Sequence, residues 1–161
     1  VIGMEPALKP ASLFRKDGMI AVLATSATLR QEKFRHLMER YGEYAVPVPC
    51  PGLMDYVERG VTEGAELDAF LQKVLAPFRD YRFDAAVLGC THYVFLKDAI
   101  QKAMPGVRLF DGNEGTSHQL RRVLSERGWL KEEGEGGIQL FSSAENPAVI
   151  RLMERLLATK P

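Results

Sequence analysis

Along this chain, short, largely apolar runs alternate with stretches in which apolar residues recur every three or four positions. The runs are Met19–Ala24, Tyr44–Val48, Phe83–Leu88 and Val107–Phe110, closed in turn by threonine, proline, glycine and aspartate. Runs of this length with little polar alternation predict strands buried on both faces, the habit of a parallel sheet. Ile138–Phe141 predicts a further short strand, and the chain opens on a strand-like run, Val1-Ile2-Gly3, that ends at Pro6. Phe34, Leu37, Met38 and Tyr41 fall at i, i+3, i+4 and i+7, one face of a helix. Leu67, Phe70, Leu71, Val74, Leu75 and Phe78 make a longer stripe, with Thr62 as its predicted N-cap and Pro77 closing it. Leu96, Ala99, Ile100 and Ala103 predict a helix that starts directly after Cys90 and stops at Pro105-Gly106. Two more helices are predicted, Gly115–Arg127 around Leu120, Val123 and Leu124, and a last one bearing Val149, Leu152, Met153, Leu156 and Leu157. Leu53–Glu58 fits one or two helical turns, Ala7–Ser12 a loop or single turn, and Lys131–Gly137 a solvated loop. This alternation predicts an α/β fold, a mostly parallel sheet flanked by helices.

Composition narrows the function classes. The chain has 161 residues, enough for one domain and a fraction of another. It is 46% hydrophobic and 26% charged, the make-up of an ordinary globular protein. Lysine plus arginine equals aspartate plus glutamate at 21 each, which leaves no basic footprint for nucleic acid or an anionic membrane. No apolar run approaches the roughly 18 residues of a membrane span. Two cysteines make no disulfide framework, and neither sits in a CxxC pair. With no secretory leader legible, a cytoplasmic location is expected. The chain starts Val-Ile-Gly without a methionine, which fits a piece of a longer protein as well as a whole one.

Candidate chemistry gathers at the strand ends, where open α/β sheets bind their ligands. Cys90 follows Phe83–Leu88 and one glycine, with Thr91 and His92 next. A helix starting there offers unpaired N–H groups and partial positive charge, which favour a thiolate and a bound anion. In that reading Cys90 is the reactive group, Thr91 donates to a substrate carboxylate, and His92 tunes or moves the proton. The competing reading is a cysteine packed at a tight turn. Thr25 and Thr28, just past Met19–Ala24, either bind a small anion or cap the next helix. Glu58, ending a short helix, either orients a histidine or is simply solvated. Cys50, within Pro49-Cys50-Pro51-Gly52, reads as a structural thiol, although a two-base reading would pair it with Cys90. His36 and His118 read as surface residues. Asp111, Asn113 and Glu114 are magnesium-type ligands without a spaced set of partners, and zinc spacing is absent, so no metal is expected.

Leu88-Gly89-Cys90-Thr91-His92-Tyr93 resembles the motif that carries the second catalytic cysteine of the glutamate racemases, in the aspartate/glutamate racemase superfamily. Three further stretches agree in order: Ile2-Gly3-Met4-Glu5-Pro6-Ala7 with Lys9-Pro10-Ala11, Val22-Leu23-Ala24-Thr25 through Thr28, and Cys50-Pro51-Gly52-Leu53 through Val57-Glu58. Phe110-Asp111-Gly112-Asn113-Glu114-Gly115 resembles the family's segment beyond that cysteine. The likeness runs to about Leu124 and fades in the tail, and Val94 stands where the family usually has proline. The Cys-Thr-His triplet points to glutamate over the related aspartate and hydantoin racemases.

The resemblance implies a cofactor-independent, two-base racemase that interconverts L- and D-glutamate for peptidoglycan synthesis without pyridoxal. Cys90 would be one of two proton donor/acceptors, with His92 assisting it and Glu58 as the acidic helper near His92. Thr91 and His92 would contact the substrate, Thr25 and Thr28 would line its pocket, and Cys50 matches a position that is not the catalytic partner. Residues 1–105 would form a racemase-like α/β domain, and 106–161 the returning C-terminal portion of a second, incomplete α/β domain. In that family the first catalytic cysteine and an Asp-Ser pair precede the region matching Val1. The 161 residues are therefore expected to hold half an active site and to be inactive alone. A homodimer is expected, with no nucleic-acid or membrane partner. Beside this stand two other readings. One is a cysteine-dependent hydrolase or lyase of a small carboxylate, with Cys90 activated by His92. The other is a small-anion binding module using Thr25, Thr28 and the Cys90 helix end.

Overall fold

The computed structural model describes residues 1–131 and 133–159. Two compact units are present: Glu5–Gly112, and Val1–Met4 together with the described residues from Asn113 onward. Residue 132, within the predicted loop Lys131–Gly137, lies outside the described residues, as do the last two positions.

The first unit is built on a parallel sheet of β1 (Met19–Ala24), β2 (Ala45–Pro49), β3 (Phe83–Leu88) and β4 (Arg108–Phe110). Their spatial order is β2-β1-β3-β4, with Ala21 opposite both Val46 and Ala86, and Val87 opposite Phe110. The interior strands β1 and β3 carry apolar residues on both faces because both faces are covered. Ile20, Val22, Ala85 and Val87 pack with Leu8 and Ala11 of α1 (Leu8–Phe14) and with Phe34 and Leu37 of α3 (Glu32–Tyr41). Side chains alternate along a strand, so the buried Ala21, Leu23, Ala86 and Leu88 face the opposite layer. There α5 (Ala65–Leu75) packs on β2 and on α6 (Lys97–Ala103), with Leu67, Leu71 and Ile100 wholly buried. Each such side chain contributes roughly 2 kcal/mol by leaving water. Pro47 and Pro49 fall in β2, an edge strand, where a missing ladder donor is tolerated.

The remaining helices are α2 (Ser26–Leu29), α4 (Leu53–Glu58), α7 (Asn113–Glu126) and α8 (Pro147–Ala158). In the second unit, Asn146 caps α8 by accepting from the Ala148 amide at 3.0 Å, ahead of Pro147 in the first turn. Neither α7 nor α8 has a fully buried residue.

Several sequence expectations are corrected. Residues 91 and 92 form a turn, Tyr93–Leu96 is a 3₁₀ helix, and α6 begins only at Lys97. The Tyr93 amide bonds the Cys90 carbonyl and the Phe95 amide bonds that of His92, closing the tighter i to i+3 rings. Ile138–Phe141 is not a strand: Ile138 and Phe141 are exposed, and the run follows Gly136-Gly137 with no strand to pair with among the described residues. Val1–Gly3 likewise forms no strand with any of the described residues, and Val1 is fully exposed. The cap of α5 is Gly64, not Thr62. Ala7–Ser12 lies largely within the two-turn α1, whose Leu8 and Ala11 dock on the sheet.

Candidate active site

In a β2-β1-β3-β4 order the chain leaves β1 toward β2 and leaves β3 toward β4, so the connections diverge between the two central strands. A crevice opens at such a switch point, outside the carboxyl ends of the strands. Thr25 follows β1 there, and Gly89-Cys90 follows β3. Leu23 and Leu88 are register partners, and the Gly89 amide donates to the Leu23 carbonyl at 2.7 Å. A Cβ on Gly89 would lie 2.9 Å from that oxygen and 3.0 Å from the Ala24 Cβ. Glycine is needed because the two backbones close on one another, and Cys90 is delivered beside the end of β1.

Cys90 is half-buried, and its Sγ lies 3.7 Å from His92 Nδ1. The other ring nitrogen, Nε2, lies 3.6 Å from Glu58 Oε1 at the end of α4. The tautomer is assigned from these two contacts. A proton on Nε2 faces the carboxylate, which leaves the Nδ1 lone pair facing the thiol. Thr91, exposed, places its hydroxyl 3.5 Å from the same Nδ1. The arrangement can draw the proton from Cys90 and return it. Glu58 is more than half exposed, so its pairing with His92 adds little to stability and acts on ring orientation.

α4 carries Glu58 because the preceding loop is stitched to the end of β1 and to the 3₁₀ turn that follows β3. The Cys50 amide donates to the Ala24 carbonyl at 2.9 Å, and the wholly buried Tyr93 donates its hydroxyl to the Cys50 carbonyl at 3.2 Å. Gly52, at φ +86, supplies the left-handed turn into α4 that other residues rarely adopt. The Cys50 thiol is buried and donates to the Val48 carbonyl, and burial pushes it up to about 12. At neutral pH it is a packed, protonated thiol, unable to act as a base. Burial, and then the neighbouring Cys50, Cys90 and Asp55, hold the Tyr93 phenol above its ordinary range, so it stays a donor.

Thr25 caps α2: its Oγ1 accepts from the Thr28 amide at 3.2 Å and lies 3.0 Å from the Thr28 hydroxyl. Both threonines therefore sit together at the end of β1. His36 and His118 are exposed. Asp111, read as a magnesium-type ligand, pairs instead with Lys97 at 2.8 Å, tying the start of α6 to the end of β4. Among the described residues no three His, Cys, Asp or Glu side chains are placed to hold a metal ion. No helix among them is long and apolar enough to cross a membrane. Sequence reasoning missed Tyr93 as a structural tie. The available cue was an aromatic hydroxyl directly after a site histidine, in a segment that is otherwise apolar.

Comparison with known proteins adds to this geometry. The family model described as Asp/Glu/Hydantoin racemase matches residues 1–119. The chain is similar to the glutamate racemase of Clostridium perfringens, 43% identical over 164 residues that cover 99% of this chain and 63% of that protein. It thus spans less than two thirds of that relative's length. It is also similar to the solved glutamate racemase of Thermus thermophilus in complex with beta-chloro-D-alanine, at 31% identity and TM-score 0.73, covering 95% of this chain and 57% of that one. The glutamate racemase of Francisella tularensis in complex with D-glutamate shares the fold at 24% identity and TM-score 0.78, covering 93% of this chain and 57% of that one.

Proposed function

The chain belongs to the Asp/Glu/hydantoin racemase family, and from that premise we propose that it carries one of the two proton-transferring faces of a cofactor-independent glutamate racemase. The observation that carries the reading is the line from Cys90 Sγ to His92 Nδ1 and from His92 Nε2 to Glu58 Oε1, at 3.7 and 3.6 Å, at the switch point of the sheet. The glutamate racemase from Clostridium perfringens and the D-glutamate held by the Francisella protein support glutamate as the substrate.

In this mechanism His92 Nδ1 takes the thiol proton of Cys90, and Glu58 stabilises the imidazolium. The Cys90 thiolate then removes the α-proton from one face of glutamate, and a thiol on the opposite face gives a proton back, inverting the centre. An amino acid's α-proton is very weakly acidic, so charge developing toward the carboxylate must meet donors already in place. The hydroxyls of Thr91, Thr25 and Thr28 are proposed for that task. Cys50, buried and protonated, does not qualify as the opposite base; the family resemblance implies that a cysteine outside these 161 residues takes that role. The returning piece of the second domain is proposed to start after β4, since β4 pairs with β3 and belongs to the unit ending at Gly112. A cytoplasmic homodimer that supplies D-glutamate for peptidoglycan completes the reading.

The test is Cα exchange. The 161-residue chain and the longest open reading frame containing it are incubated with L-glutamate in D₂O, and Cα deuterium and optical rotation are followed. The longer polypeptide is expected to exchange and racemise, its Cys90→Ser variant to lose both, and the 161-residue chain to do neither. Turnover by the 161-residue chain would refute the shared-site reading. A covalent adduct at Cys90 without Cα exchange would favour the hydrolase or lyase instead. Glutamate binding that survives Cys90→Ser, with no turnover in either polypeptide, would favour the anion-binding module.

A further inference from the structure

The 90–93 turn touches α4 at two places. At the far end of α4, His92 faces Glu58. At the near end, the Tyr93 hydroxyl meets the Cys50 carbonyl, which also accepts from the Leu53 amide in the first turn of α4. A six-residue helix is about 9 Å long, so these two attachments hold the turn along the whole of it. The turn itself is closed by the Tyr93 amide on the Cys90 carbonyl. Tyr93 is wholly buried, and its hydroxyl donates to the Cys50 carbonyl. Its ring alone would fill the core, so the hydroxyl needs another account.

We propose that Tyr93 is the positioning residue of His92: its hydroxyl, through the Cys50 carbonyl, registers the 90–93 turn against α4 and so sets the distance from the His92 ring to both Cys90 and Glu58. The geometric part stands on the hydrogen bonds alone, and its consequence for catalysis rests on the proton-relay reading above. The charged and titratable groups around the pair are Cys90 and Glu58 at His92, beside the neutral Thr91 hydroxyl, and Cys50, Cys90 and Asp55 at Tyr93. Loss of the hydroxyl should let the turn shift along α4, draw His92 Nε2 away from Glu58 and free the imidazole to rotate off the thiol.

The experiment uses the 161-residue chain with Tyr93→Phe, His92→Asn, and Ile100→Val as a control that weakens the core away from the turn. Two quantities are read: the ¹⁵N resonances of the His92 ring, assigned against His92→Asn, and the rate of Cys90 alkylation by iodoacetamide from pH 6 to 9. Tyr93→Phe is expected to move the His92 resonances and to slow neutral-pH alkylation about threefold or more toward the His92→Asn profile. Ile100→Val should do neither at a comparable loss of melting temperature. Tyr93→Phe that lowers the melting temperature but leaves the resonances and the profile in place would reduce Tyr93 to a packing residue and overturn the proposal. If Tyr93→Phe does not fold, 3-fluorotyrosine at position 93 keeps the ring and alters the donor; unmoved His92 resonances would then overturn it. The relay reading fails separately, if His92→Asn leaves Cys90 alkylation unchanged.

Discussion

Replacing Gly89 with alanine tests the close approach that delivers Cys90 to the site. The added Cβ would lie 2.9 Å from the Leu23 carbonyl oxygen and 3.0 Å from the Ala24 Cβ, both fixed parts of a central strand. Neither can swing away as a side-chain tip could, so the end of β3 must shift from β1. Such overpacking costs about 1–3 kcal/mol. The 2.7 Å bond from the Gly89 amide to Leu23 is strained with it, for about 1 kcal/mol more. Removing a glycine from the unfolded chain returns roughly 0.4–1 kcal/mol, because Gly89 has no positive φ to lose. The net is a loss of about 1–3.5 kcal/mol, or roughly 2–14 °C in melting temperature for a chain of this size. Gly115→Ala is the internal standard. It lies inside α7, nothing would meet its Cβ within 4 Å, and it should stabilise by up to about 1 kcal/mol. Urea melts followed by far-UV circular dichroism, with Trp129 fluorescence for the unit holding α7, separate the two. A Gly89→Ala variant as stable as the parent would show that the strand ends do not touch as described.

Three further outcomes follow from the same geometry. Because burial pushes the Cys50 thiol from 9.0 up to about 12, the unfolded chain loses this proton first. Stability should then fall as pH rises from about 9 toward 12, by about 1.4 kcal/mol per unit. Tyr93 has the same sign but starts from 10.0, so Cys50→Ala should remove the earliest part of the slope in alkaline urea melts; an unchanged onset refutes the burial argument. At the other end of β3, the Gly18 amide, and after it the Lys16 amide and Arg82, hold the Asp84 carboxyl below its ordinary 3.8. That stabilisation is present above the unfolded value and lost as pH falls through the folded one, so Asp84→Asn should flatten the acid limb below about pH 4. Glu58→Gln, at a largely exposed pair, should change stability by less than about 0.5 kcal/mol. The same change should slow Cα exchange about tenfold in the longer polypeptide.

How much of this was legible varies with the physics of each signal. The interior strands were read correctly because residues covered on both faces must be apolar throughout, as Met19–Ala24 shows. The helix after Cys90 was placed too early because Leu96, Ala99 and Ile100 report a buried face without distinguishing an α turn from the 3₁₀ turn before it. Ile138–Phe141 has strand-like composition, but a strand exists only where another edge accepts its hydrogen bonds. At the site, Cys90, Thr91 and His92 were visible as neighbours in sequence. The residues alone offer Glu58 as a carboxylate that orients a histidine; that the histidine is His92 is implied only by family resemblance, since no periodicity links the end of one helix to a turn in another segment. Gly64 displaced Thr62 as the cap because its φ of +114 sets the chain's entry into α5, a demand that a polar-cap rule does not weigh.

The two prolines of β2 also govern how the sheet meets other chains. Tyr44 and Cys50 bond inward to β1, so the odd positions between them, 45, 47 and 49, present their backbone outward. Proline occupies two of those three positions, and the amide of the third, Ala45, is turned back onto the Gly42 carbonyl. The rim therefore offers a passing strand no donor to dock on, and it resists templated aggregation even though its residues are largely apolar.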